Sequence, residues 1–126
     1  MANPEIEHPV RTEVSTRHVI VKEASSGQVI AETNGGHVLH ETGLHDRWYL
    51  PRSALRTELQ PSETTSHCPH KGDASYWNVQ LADGTTLRDV AWSYEEPRPM
   101  AADVAGELSF WTAGIIVEVD GEPVPV

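Results

Sequence analysis

Tyr76-Trp77-Asn78-Val79-Gln80-Leu81, then Ala82-Asp83-Gly84-Thr85, then Leu87-Arg88-Asp89-Val90-Ala91-Trp92-Ser93-Tyr94 reads as two strands joined by a turn. In the first, Trp77, Val79 and Leu81 share one face while Tyr76, Asn78 and Gln80 share the other. That alternation of period two belongs to a half-buried strand. Asp-Gly is a strong hairpin signal, because glycine takes positive φ at little steric cost. The return strand puts Val90, Trp92 and Tyr94 on one side, and Glu95-Glu96-Pro97-Arg98-Pro99 breaks it.

The same signals recur on both sides. Upstream, Val19 to Ala24 and Gln28 to Glu32 are β-branched runs across Ser25-Ser26-Gly27, which predicts another hairpin. Asn34-Gly35-Gly36 turns the chain into a short strand over His37 to Glu41. Arg47 to Leu50 is an aromatic strand stopped by Pro51, with one helical turn expected over Pro51 to Leu55 and a short strand over Leu55 to Leu59. Pro61 to Gly72 is expected to be a long loop. Downstream, Met100 to Leu108 is the best helix candidate, alanine-rich and free of proline, and Ile115 to Val119 is a last strand. The expected architecture is mainly β: a small single domain of antiparallel sheets over residues 17–120, with one short helix. A loosely ordered arm is expected over residues 1–16 and a tail over 121–126.

Composition narrows the function classes. The 126 residues suit one domain with one core. A single cysteine forms no internal disulfide, which points to a cytoplasmic rather than a cross-linked secreted protein. Met1 to Val10 is polar and broken by Pro4 and Pro9, unlike a signal peptide, and no apolar run is long enough for a membrane span. The formal net charge of −10 repels phosphate backbones, so neither nucleic acid nor membrane is an expected partner. Arg47, Arg52, Arg56 and Lys71 lie in the middle third, where a local positive pocket for a small anion would survive.

The candidate chemistry gathers in Thr64 to Trp77, which holds the only cysteine and one of only two lysines. Cys68, between His67 and His70 and near Lys71, has neighbours that favour a thiolate nucleophile; packing as a small hydrophobe is the plainer role. Lys71 beside Gly72 suits a point charge for a carboxylate or phosphate, or else an ion pair with Asp73, Asp89 or Glu41. Glu41, at a strand end, suits a general base. The catalytic candidates are therefore Cys68, Lys71 and Glu41. Tyr49, Arg52, His67, Tyr76 and Trp92 are the expected ligand-binding residues, with Trp77 and Trp111 in the core. A zinc site built from His67, Cys68 and His70 with His37, His40 or His45 lacks the usual second cysteine pair, so no metal or other cofactor is expected. The reading is a small-molecule-binding β domain, with catalysis open. The alternative is a non-catalytic interaction or structural domain, monomeric or homodimeric through its exposed strand edges.

The run His67-Cys68-Pro69-His70-Lys71-Gly72-Asp73-Ala74-Ser75-Tyr76-Trp77, followed by Ala91-Trp92-Ser93-Tyr94 and Pro97, resembles the family called domain of unknown function 427. Glu41-Thr42-Gly43, Tyr49, Pro51-Arg52 and Pro61-Ser62 match its earlier blocks in order, so the resemblance spans roughly Val19 to Val119. One departure is His70, where relatives place an aromatic residue. The resemblance implies a compact β-tent fold, similar in outline to Mss4-like domains. It also brings a nucleotidyltransferase label. This sequence has neither a glycine-rich phosphate loop nor the clustered acidic pair that would hold magnesium.

Overall fold

A computed structural model describes residues 10–69 and 71–126. Among these, eleven strands form three antiparallel sheets. In chain order they are β1 (Val10–Val14), β2 (Val19–Glu23), β3 (Val29–Thr33), β4 (His37–Glu41), β5 (Arg47–Tyr49), β6 (Glu58–Cys68), β7 (Gly72–Gln80), β8 (Thr86–Ser93), β9 (Ser109–Phe110), β10 (Ile115–Val119) and β11 (Glu122–Val124). The sheet orders are β1-β4-β5, β11-β10-β2-β3 and β6-β7-β8-β9. The mainly β architecture of antiparallel sheets expected from the sequence is the one observed.

Each predicted hairpin forms for the stated reason. β2 pairs with β3 across Ser25-Ser26-Gly27, where both serine hydroxyls donate to the Glu23 carboxylate. Those bonds, Ser26's first, hold the Glu23 carboxyl down to about 2. β7 pairs with β8, putting Tyr76 opposite Trp92 and Trp77 opposite Ala91. Covering on both faces suits β8: Ala91 joins one core cluster and Trp92 the other.

Four segments differ from expectation. Pro61 to Gly72 is a hairpin, not a loop: β6 continues to Cys68 and pairs with β7 as far as Cys68 opposite Gly72. A bulge between Pro61 and Thr65 accommodates the proline, which has no N–H for the ladder. Val10–Val14, assigned by sequence to the arm, pairs along β4, while residues 1–9 lie outside the described residues. Glu122–Val124, assigned to the tail, returns along β10 across Asp120 (φ 51°) and Gly121 (φ 85°), the two positive φ values of a type I′ turn. The short helix expected over Met100–Leu108 is present as a 3₁₀ segment, Pro99–Val104, interrupted at Ala101 (φ −118°, ψ 16°). Gly106 at φ 72° then turns the chain, too soon for an α-helix to establish itself.

Two cores result. The larger lies between the β2 and β7 sheets and includes Val21, Ile30, Leu50, Val79, Leu108, Phe110 and Val117. The smaller holds Leu39, Tyr49, Ala74, Trp92, Tyr94, Ala101 and Val104, where the β4 sheet meets the ends of β7 and β8. Among the described residues, no helix is long and apolar enough to cross a membrane.

Candidate functional site

Above the smaller core lies a cleft of about 230 Å³, lined by Glu41, Leu44, His45, Arg47, Lys71, Tyr76, Trp92, Tyr94 and Trp111. Three parts of the chain build it. The end of β4 supplies Glu41 and the start of β5 supplies Arg47. Between them a connection that Gly43 turns at φ 84° supplies Leu44 and His45. The second wall comes from β7 and β8. Tyr76 and Trp92 are cross-strand partners, and Tyr94 follows Trp92 by two residues, so it shares that face. Trp111, just after β9, forms the rim.

Lys71 is fixed through its backbone. Its N–H donates to Cys68 O at 3.3 Å, and its carbonyl accepts from Arg98 N–H at 2.8 Å. This clamp brings residues 96–98 against buried Gly72, where a Cβ would meet Glu96 O and Pro97 Cα at 3.4 Å and φ is +118°. A side chain there is disfavoured by both space and backbone, which gives the Lys-Gly pair its structural reason. From this anchor the Lys71 ammonium reaches Glu41 at 3.0 Å, with side chains only 12% and 11% exposed. It also stands 5.9 Å from the centre of the Tyr94 ring. Of the ion-pair partners the sequence offered for Lys71, the observed one is Glu41.

The aromatic groups brace one another. Tyr49 is buried under Trp92, edge to face at 6.4 Å, and its hydroxyl accepts the Trp92 indole N–H at 3.1 Å. Burial pushes the Tyr49 phenol well above its ordinary pKa, and burial does the same to Tyr94. Trp111 meets Trp92 edge-on at 6.2 Å and Tyr76 at 6.5 Å. Its indole N–H donates to Asp89 O at 2.7 Å. Arg47 lies over the Trp92 ring at 5.2 Å, and its Nη1, shielded from solvent, makes no hydrogen bond among the described residues.

Of the eight residues singled out by sequence, Glu41, Lys71, Tyr76 and Trp92 line the cleft. Tyr49 supports it from behind. The other three stand elsewhere. Arg52 stacks on Trp77 at 4.6 Å and bonds Gly106 O and Glu95, joining distant segments of the fold. His67 is exposed and pairs with Asp73 at 2.7 Å. Cys68, half-buried, is not among the lining residues; adjacent strand residues face opposite ways, so His67 does not share its face. His70 lies outside the described residues. His37 and His40 are engaged by Glu107 and Asp46, and no three His, Cys, Asp or Glu side chains stand together as a metal site among the described residues.

The sequence offered Arg47 only as one of four basic residues around a local positive pocket and His45 only as a metal ligand; it did not single out Leu44, and it placed Trp111 in the core. Trp111 gave no signal in the sequence: Ser109 and Phe110 of β9 are both buried, so strand alternation does not set the side on which the next residue lies.

A family model described as Domain of unknown function (DUF427) matches residues 11–123 of the chain. No curated protein matches it.

Proposed function

The chain belongs to the DUF427 family, whose description names no activity, and from that premise we propose that the cleft binds a small planar anion. The observation that carries this is Arg47: a guanidinium in the lining of the cleft, over the Trp92 ring, with no ion-pair partner among the described residues. A positive group so placed is costly until an anion compensates it. Lys71 is already neutralised by Glu41. Among the described lining residues Glu41 is the lone carboxylate, so Arg47 leaves the cleft positive within a chain of net charge −10.

The aromatic faces argue against a cationic ligand. A quaternary ammonium needs open ring faces, yet Arg47 stacks on Trp92 and Lys71 approaches Tyr94. The volume sits below the ~300 Å³ at which pockets for drug-sized ligands begin, which suits a molecule of about one ring. Nucleotidyl transfer, which the family resemblance suggested, needs paired carboxylates for magnesium-held phosphates, and this cleft offers Glu41 already bound to Lys71. Acid–base work by Lys71 and Glu41 on the bound anion is compatible with the geometry. Cys68 is left out of the proposal.

Tryptophan emission and calorimetry with benzoate, benzamide and benzylammonium test the reading. Benzoate is expected to bind, benzylammonium to bind at least tenfold more weakly, and Arg47→Gln to weaken benzoate about tenfold or more, the scale of a charge-assisted hydrogen bond. Equal binding of benzylammonium, or no response to any probe at millimolar concentration, overturns it.

A further inference from the structure

Anion binding by Arg47 leaves one feature of the cleft unused. Lys71 Nζ and Glu41 Oε1 stand 3.0 Å apart in its lining, a donor beside an acceptor. Neither is saturated by the other. An ammonium has three N–H donors and a carboxylate about four acceptor sites, so each retains capacity toward a ligand. The complementary ligand edge carries a C=O next to an N–H, as a cyclic amide does. Two other edges fit worse: a second carboxylate would face the Glu41 charge, and a diamine would face Lys71. A cyclic amide is neutral and satisfies both groups while the ion pair stays intact.

We propose that the cleft selects a heterocyclic acid: a single planar ring with its anionic group toward Arg47 and a cyclic-amide edge toward Lys71 and Glu41. This rests on the anion-binding reading above and narrows its ligand class. The exposed aromatic surfaces of Tyr76 and Trp111 supply the apolar contact that a flat ring needs. Arg47 and the ion pair line the same cleft, whose volume of about 230 Å³ suits one ring.

Three probes separate the parts. Benzoate presents the anion alone, uracil the amide edge alone, and uracil-6-carboxylate both. Calorimetry on the full chain is expected to find uracil-6-carboxylate at least tenfold tighter than benzoate, since a hydrogen bond to a charged partner is worth roughly that factor or more. Glu41→Leu/Lys71→Met removes one charge of each sign, so the cleft's charge balance is unchanged. In that double variant the preference for uracil-6-carboxylate over benzoate is expected to shrink to within about threefold. A ligand-side control needs no variant. Methylating both ring nitrogens of uracil-6-carboxylate removes the N–H groups, and its affinity should fall to that of benzoate.

Equal affinity of the two acids for the native chain overturns the inference, as does a preference that survives either the double variant or ring methylation. If benzoate binds in an Arg47-dependent way without any preference for uracil-6-carboxylate, the cyclic-amide inference falls and the anion cleft stands. If neither acid binds, both fall.

Discussion

Cutting one end of the Lys71–Glu41 pair should harm the fold far more than removing both. The two side chains are 12% and 11% exposed and 3.0 Å apart, so each charge depends on the other for compensation. Lys71→Met strands the Glu41 carboxylate, and losing one partner of a buried pair costs about 3–5 kcal/mol. Glu41→Leu strands the ammonium, which keeps its approach to the Tyr94 ring at 5.9 Å. That contact is present in the native chain as well and returns nothing new, so about 3–5 kcal/mol is expected here too. The double variant exchanges an ion pair for two apolar groups of similar volume and should lie within about 1 kcal/mol of the native chain. Urea unfolding followed by tryptophan emission measures all four proteins. With a slope near ~2 kcal/mol/M, Lys71→Met should move the midpoint down by roughly 1.5–2.5 M. The double variant should restore most of it. If the two single losses instead add up to the double loss within about 0.5 kcal/mol, the groups are uncoupled and the argument from mutual compensation is wrong.

Two further outcomes follow from local geometry. In Gly36→Ala the new Cβ would stand 2.1 Å from Tyr49 O at a backbone φ of +88°, whereas in Gly43→Ala, at φ +84°, it would meet nothing within 4 Å. Urea unfolding should therefore find a loss above about 3 kcal/mol for Gly36→Ala, and only the left-handed backbone cost of about 1–2 kcal/mol for Gly43→Ala. Tyr49 and Tyr94 are held neutral by burial, so the unfolded chain binds fewer protons than the native one once pH exceeds ~10. Their contribution to stability is complete below that pH and is lost progressively as pH rises above it toward their raised native values. Phenolate absorbance for these two should appear together with loss of the fold, and a separate earlier titration of either in the native state would contradict their burial.

The hairpins were legible wherever one strand face is apolar and the other polar, as in Trp77, Val79 and Leu81 against Tyr76, Asn78 and Gln80. β6 was not, because Ser62, Glu63, Thr64, Thr65, Ser66 and His67 are polar on both faces and leave no contrast for a period to show. Only its partner, β7, reveals it as a strand. The cleft divides along similar lines. Lys71 drew attention through the rarity of lysine and its Gly72 neighbour, and Tyr76 and Trp92 through their strand positions. Arg47 stood out only as one of four basic residues in the middle third, because its place over Trp92 depends on how the β4 sheet meets β8, a packing fact that no local window contains.

That junction also explains why polar groups stand in a place that apolar ones would stabilise better. The smaller core beneath is rigid without them: Tyr49 is fully buried, bonds the Trp92 indole and packs edge-on against it. Leu39, Ala101 and Val104, each 0% exposed, close the rest. Nothing in this packing calls for a charged residue above it. An ion pair is a weak source of stability against an apolar replacement, and a guanidinium with an unbonded, shielded nitrogen is a cost. Places where a chain departs from what stability alone favours are where function is to be sought. Glu41, Lys71 and Arg47 make that departure together, on one cleft, against a wall of aromatic rings that the core already holds still. Their grouping, more than the reactivity of any one of them, is the reason to propose a ligand for the cleft.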